Sequence, residues 1–266
     1  MLSDFHTHTT FSDGKNTPEE VILFAIENGF SSIGFSDHGY TDFDLRYCMK
    51  NTKGYISEIR RLKEKYKNKI QVYLGVEEDA WQYVNRSDFD YIIGSCHYCF
   101  DKGEHYAVDS NPEIFEKCFG HFAFDPVKLA HAYYDPFCRY IKERKPDIVG
   151  HFDLITKFDE MDTSVFLENK EYMKIAEQYI FDAAQSGCFF EVNTGAISRG
   201  YRKTPHPYEN LLHVLKKNGN GLVLSSDSHA IETLSFKFDD IRCYLKDLGF
   251  MFVYSLYDGK FVKDYL

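Results

Sequence analysis

No stretch of this 266-residue chain is long and apolar enough to span a bilayer. Runs such as residues 91–96, Tyr-Ile-Ile-Gly-Ser-Cys, fall far short of the roughly 20 residues required and read as buried strands. No basic segment followed by an apolar one opens the chain, which starts Met-Leu-Ser-Asp-Phe-His, so neither secretion nor membrane anchoring is expected and the chain is placed in the cytoplasm. Proline is scarce at 7 residues, and no Pro/Gly/Ser linker, repeat or low-complexity tract marks a boundary, so one domain over residues 1–266 is expected. The 7 cysteines are odd in number and scattered over a chain too large to need staples, which suits a reducing compartment and predicts no disulfides. Positive charge is in deficit, 31 Lys and Arg against 41 Asp and Glu, and the net charge of -10 argues against an electrostatic grip on nucleic acid or anionic lipid. A local basic pocket remains compatible with that balance.

The chain does have enough apolar residues, 44%, for one large core. Thr17, Pro18 and Glu20 form a helix-start signature that Gly29 terminates. Strand-like runs begin near residues 2, 32, 70, 91, 147, 188 and 221, separated by helical spacing at 55–66, 127–144, 170–186, 207–217 and 239–248. The Phe- and Tyr-rich segment 100–125 carries no clear period, and a hairpin turning at Asp258-Gly259 is expected after the last helix. Alternating strands and helices imply a parallel sheet, and seven units in one α/β domain favour a closed or nearly closed TIM-like barrel, which places its active site at the carboxyl ends of the strands.

Unusual polar residues fall at those ends. His6 and His8 follow the first strand, and their spacing of two puts both imidazoles on one face; Asp227 and His229 repeat it after the seventh. Asp13, His38, Glu77, His97 and His151 occupy the first loop and the next four strand ends. A lone His-x-His is common on protein surfaces, but six histidines and three carboxylates at successive strand ends are not surface decoration. Imidazole mixed with carboxylate suits zinc, iron or manganese, and nine donors exceed the needs of one ion, so two or three divalent metals are expected, with Glu77 as the bridging carboxylate.

The motifs His6-Thr-His8, Asp13-Gly14, Ser36-Asp37-His38, Glu77, Ser95-Cys96-His97, Gly150-His151 and Ser226-Asp227-Ser228-His229 resemble the PHP (polymerase and histidinol phosphatase) superfamily nearly end to end. The resemblance implies a distorted (β/α)7 barrel with a trinuclear site. It assigns His6, His8, Glu77 and Asp227 to one metal, Glu77, His97 and His151 to a second, and Asp13, His38 and His229 to a third. Many members have histidine where Asp13 stands, so the third site departs from the family pattern. Segment 190–199, Phe-Glu-Val-Asn-Thr-Gly-Ala-Ile-Ser-Arg, resembles the monofunctional histidinol-phosphate phosphatases of that superfamily.

The implied activity is hydrolysis of a small phosphate monoester, histidinol phosphate first, by in-line attack of a metal-bridging hydroxide. Arg199 is the candidate to grip the phosphoryl oxygens, Glu77 and Asp13 are the carboxylates nearest the chemistry, and either Asp13 or a water would protonate the leaving group. His206, between Pro205 and Pro207, is expected near the substrate mouth, and aromatics in 98–124 together with Tyr133 and Tyr134 are candidates to roof it. His105, His121, His131 and His213 read as surface or packing residues. Cys96-His97-Tyr98-Cys99 has no second pair at zinc-ribbon spacing. The competing readings are another phosphoesterase of the superfamily, acting on nucleotides or sugar phosphates, and a non-catalytic metal-binding regulatory module.

Overall fold

The computed structural model describes residues 1–161 and 164–266. The chain opens with β1 (Ser3–Asp4), α1 (Pro18–Glu27), β2 (Ser32–Phe35), α2 (Thr52–Tyr66), β3 (Gln71–Asp79) and β4 (Tyr91–Ser95). Helix α1 begins where its capping chemistry predicts: Thr17 accepts from the Glu20 backbone, Glu20 accepts in return from Thr17, and Gly29 ends the helix at φ +75°. Segment 100–125, for which the sequence set no expectation, forms most of a hairpin of β5 (Tyr98–Asp101) and β6 (Glu104–Ala107), then α3 (Pro112–His121) capped by Asn111. There follow α4 (Pro126–Arg144), β7 (Ile148–Val149), α5 (Lys170–Ala184), β8 (Phe189–Asn193), the short α6 (Gly195–Ser198), α7 (Glu209–Asn218), β9 (Leu222–Ser225) and α8 (Phe238–Asp247). The chain closes with the hairpin β10 (Phe252–Tyr257) and β11 (Lys260–Tyr265), whose turn residues Asp258 and Gly259 both have positive φ, as a tight hairpin requires.

Helix α7 starts at Glu209, two residues after the expected Pro207. His206 is still held in extended pairing with Asn193, exchanging both backbone hydrogen bonds at 2.8 and 3.0 Å, so the chain turns into the helix only after Tyr208.

Strands β1, β2, β3, β4, β7, β8 and β9 pair in that order, all parallel, which accounts for the seven expected core strands. The C-terminal hairpin extends the sheet: β10 joins β9 in parallel and β11 pairs antiparallel with β10. Closure back to β1 is not a full ladder. One parallel bridge, Thr7 to Ser228, joins the carboxyl ends through His8 N to Ser228 O at 2.8 Å and Ser228 N to His6 O at 3.1 Å. Lower down, β10 meets the first strands, with Ser3 and Ser255 hydroxyls 2.9 Å apart and Ser32 Oγ donating to Leu256 O at 3.2 Å. This is a distorted (β/α)7 barrel, drawn tight at the end where the candidate ligands sit.

A floor of Phe5, Tyr73, Tyr91, Ile93, Ile148, Val223 and Leu256 lies inside the barrel. The Tyr91 ring occupies room left by two glycines: a Cβ on Gly75 would lie 2.2 Å from its Cζ, and one on Gly34 would lie 2.4 Å from its hydroxyl. Outside, α1 and α2 pack Ile22, Tyr55, Ile59 and Leu62 on one flank, and α4, α5 and α7 pack Tyr133, Phe137, Ile180 and Leu212 on the other. Burial on both faces is why the strands read as continuous apolar runs. All seven cysteines are free thiols, and among the described residues no helix is long and apolar enough to cross a membrane.

Candidate metal centre

Backbone continuity places the ligand candidates, and buried carboxylates hold their loops. Asp4 on β1 accepts from Ser226 N at 3.2 Å, Ser226 Oγ at 2.5 Å and Ser235 N at 3.1 Å, which ties the first strand to the segment bearing Asp227 and His229. Burial raises the Asp4 pKa to about 6 against those hydrogen bonds. Asp37, beyond β2, accepts from Thr9 N at 2.9 Å, Ser12 N at 3.0 Å and Ser12 Oγ at 2.7 Å and so fixes the loop that carries Asp13. Asp227 itself has φ +49°, a left-handed conformation that aspartate tolerates better than most residues.

The nine residues converge. Glu77 is 1% exposed, and its two oxygens face different histidines: Oε2 lies 2.8 Å from His38 Nδ1, 3.3 Å from His6 Nε2 and 3.6 Å from His8 Nε2, while Oε1 lies 3.0 Å from His151 Nε2 and 3.3 Å from His97 Nε2. Asp227 Oδ1 lies 3.3 Å from His8 Nε2 and 3.8 Å from His6 Nε2. Asp13 Oδ2 lies 3.3 Å from His229 Nε2, and its Oδ1 lies 3.7 Å from His38 Nε2 and 3.9 Å from His8 Nδ1. The donor atoms form four overlapping groups that could each hold an ion: His8, Asp13, His38 and His229; His6, Glu77 and His151; His6, His8 and Asp227; and His38, Glu77 and His97. The nine residues are thus brought together but grouped differently from the three implied sets: His8 stands with the Asp13 set, and His97 and His151 fall in separate groups, one with His38 and one with His6.

The donor set fits divalent cations. His6 Nε2, both His8 nitrogens and His151 Nδ1 are buried without a hydrogen-bond partner. Leaving a buried polar atom unpaired costs about 1–3 kcal/mol, so four in one barrel end are hard to explain by packing alone. The charges agree. Burial pushes Glu77 up, but His6, His38 and His97 outweigh it and hold the carboxyl well below its ordinary range. Against burial, Glu191 and Glu77 raise His6 well above the usual imidazole value, and Glu77 and Asp79 do the same for His97; burial with His229 and His38 lowers His8 well below it.

Above the cluster lies a cavity of about 380 Å³, walled by six of the nine, Asp13, His38, His97, His151, Asp227 and His229, and also by Asp44, Arg46, Tyr47, Tyr98, Asp109, Ser110, Lys157, Arg199 and Tyr201. Arg199, at the end of α6, lies over the cluster: it donates to Asp227 O at 3.0 Å and Asp227 Oδ2 at 3.2 Å, and its Nη2 is 2.9 Å from His229 Nδ1. His206 is elsewhere. It is 1% exposed and does not line the cavity; its Nδ1 faces Asp153 at 2.6 Å and the Arg202 guanidinium at 2.8 Å, in a buried knot beside the barrel. Of the expected aromatic roof, Tyr98 lines the cavity and is joined by Tyr47 and Tyr201, whereas Tyr133 and Tyr134 are fully buried in the α4 core.

Two carboxylates that the sequence reading assigned no role stand behind the ligands. Glu191 Oε2 lies 2.8 Å from His6 Nδ1, and Asp79 Oδ2 lies 3.0 Å from His97 Nδ1. A signal existed for both: Glu191 is an acid flanked by Phe190 and Val192 inside a buried strand, and Asp79 shares a face with Glu77 by its spacing of two.

Residues 4–195, most of the chain, match the family model described as PHP domain. The chain belongs to the PHP domain family. A Schizosaccharomyces pombe relative named "Probable histidinol-phosphatase" is 29% identical over 87% of this chain and 81% of its own length, and the Lactococcus lactis histidinol-phosphatase is 26% identical over 93% and 91%. A crystal structure of the Lactococcus lactis histidinol phosphate phosphatase, complexed with zinc, L-histidinol and phosphate, shares the fold of this PHP protein with a TM-score of 0.72 at 21% identity, covering 98% of this chain and 99% of that one. The family match ends before Asp227 and His229, and it is the barrel closure at Thr7 and Ser228 that brings these two to the other ligand candidates.

Proposed function

We propose that this PHP protein is a metal-dependent phosphomonoesterase that hydrolyses histidinol phosphate. The observation that carries the reading is Glu77, whose two oxygens face separate sets of imidazoles beneath a cavity that Arg199 overlooks. In this reading His6, His8, Glu77 and Asp227 hold one ion, Glu77, His97 and His151 a second, and Asp13, His38 and His229 a third. Bound there, divalent ions of the zinc, iron or manganese kind supply charge neutralisation for the phosphoryl group and an acidified water near neutral pH.

The chain's own residues do the rest. Arg199 presents two guanidinium nitrogens to the floor of the cavity, where they can turn from Asp227 to phosphoryl oxygens and neutralise charge as it develops. Asp13 faces His38 and His229, the position of a ligand. The cavity suits a small monoester rather than a polymer, and its aromatic wall of Tyr47, Tyr98 and Tyr201 offers flat surfaces to a ring on the alcohol half. The names of the relatives aligned over nearly the whole chain favour histidinol phosphate among such esters. Free thiols throughout suit the reducing cytoplasm, where we place the protein.

The test is a comparison of kcat/KM for histidinol phosphate, nucleoside monophosphates and sugar phosphates on the zinc- or manganese-loaded protein. Histidinol phosphate should lead by at least about tenfold, or about 1.4 kcal/mol. A nucleotide or sugar phosphate in first place would overturn the substrate assignment, and no turnover of any ester would overturn the enzyme.

A further inference from the structure

Glu191 is buried in the barrel at 1% exposure, takes no part in the cavity wall, and among the described residues has no lysine or arginine partner. Its two oxygens are divided between two parts of the centre. Oε2 faces His6 Nδ1 at 2.8 Å, and Oε1 accepts from the His151 backbone N–H at 2.5 Å and from Asn193 Nδ2 at 2.8 Å. A carboxylate only accepts, so the His6 Nδ1 carries a proton, and Nε2, turned toward Glu77 and Asp227 at 3.3 and 3.8 Å, is the nitrogen that a metal would take in place of a proton. His151 belongs to the other side of Glu77, with Nε2 3.0 Å from Oε1. In the assignment proposed above, His6 and His151 belong to the two sets that share Glu77, and Glu191 touches one ligand candidate of each.

The other outer contacts are more local. Asp79 holds His97 alone, through Nδ1 at 3.0 Å and the backbone N–H at 3.2 Å. At His229 the outer neighbour is a cation instead, Arg199 at 2.9 Å. From this asymmetry we infer that Glu191 is a positioning residue that couples the two metal groups sharing Glu77, so that their ions are bound and lost as a unit, while Asp13, His38 and His229, which it does not touch, are spared its loss. The inference rests on the metal-binding reading above.

It is tested on the full chain, stripped of metal, by zinc titration against a chromophoric chelator for wild type, Glu191→Gln and Asp79→Asn, with thermal unfolding of the metal-free and zinc-loaded forms. Loss of an outer partner typically costs 10- to 100-fold in metal affinity. Glu191→Gln should weaken two ions together by about that factor and leave any third unchanged, whereas Asp79→Asn should weaken only one. The zinc-loaded Glu191→Gln protein should fall further in Tm than the metal-free one, because the metal-free form loses only the pairing with His6 whereas the loaded form also loses bound zinc. Unchanged affinities, weakening of one ion only, equal weakening of every ion, or the same fall in Tm with and without zinc would overturn the coupling. Should the variant not fold, the wild type decides: imidazole ¹⁵N spectra of the zinc-loaded protein should show His6 protonated at Nδ1, and a bare Nδ1 would overturn it. Absence of zinc binding by the wild type would instead bring down the metal-centre reading itself.

Discussion

Replacing Glu77 by glutamine removes one oxygen's lone pairs while keeping the shape of the side chain. The amide can turn either way, but in each orientation one side of the centre faces an NH2 that cannot ligate. If the amide nitrogen lies at the Oε1 position, His97 and His151 are left as two imidazoles, fewer than the three protein ligands of ordinary zinc sites. If it lies at the Oε2 position, His6 and His8 keep only Asp227 beside them, and the two groups no longer share a carboxylate. The first outcome should empty one ion and the second should weaken the ion at His6 and His8, and either should cut turnover of histidinol phosphate at least about a hundredfold, which is about 2.7 kcal/mol. The assay is elemental analysis of the purified variant beside its kcat/KM, with circular dichroism to establish that the barrel is intact. Full metal content with near-normal turnover would refute the bridging role.

Asp13→Ala should weaken one ion more than the others, because among the described residues Asp13 pairs with His8, His38 and His229; equal loss of all ions, or no loss, would count against a separate third group. Arg199→Ala should lower kcat/KM for histidinol phosphate by about 2–4 kcal/mol, the scale of one charge-stabilising donor, with metal content intact, and Arg199→Lys should fall between because an ammonium lacks the bidentate fork. Unchanged kcat/KM in the alanine variant would leave Arg199 with only its Asp227 and His229 contacts. Metal uptake should release protons: His6, His38 and His97 are raised in the metal-free protein, hold their protons to higher pH than free imidazole and must lose them to ligate, so zinc affinity should keep rising as the pH climbs past the ordinary imidazole value of about 6.5. Calorimetry in buffers of different ionisation enthalpy reads this directly, and a buffer-independent heat would contradict it.

Much of the barrel was legible because its strands are short apolar runs buried on both faces, each followed by a residue whose chemistry is out of place in a loop, as at His38, His97 and His151. The hairpin turn at Asp258-Gly259 announced itself locally, but the docking of β10 beside β9 did not, since that pairing rests on a single long-range register, Tyr254 against Val223. Segment 100–125 was opaque for a different reason. Its β5 and β6 strands are short and partly exposed, so neither a period of two nor one of 3.6 develops. His206 lies between two prolines and was expected near the substrate mouth, yet its backbone pairs with Asn193 and its ring is sealed against Arg202, four residues away, and Asp153, fifty-three away. Glu191 and Asp79 were visible as buried acids but not as partners of His6 and His97, because a hydrogen bond between strand neighbours in space has no sequence period.

The central claim is that this cluster, loaded with metal, hydrolyses histidinol phosphate. The most direct measurement is phosphate release from histidinol phosphate by the chelator-stripped chain as zinc or manganese is added back in measured equivalents. Activity should be absent at the start and appear as two or three equivalents per chain are bound, levelling off once the cluster is full. Undiminished turnover by the stripped protein, or a fully loaded protein that releases no phosphate, would contradict the account.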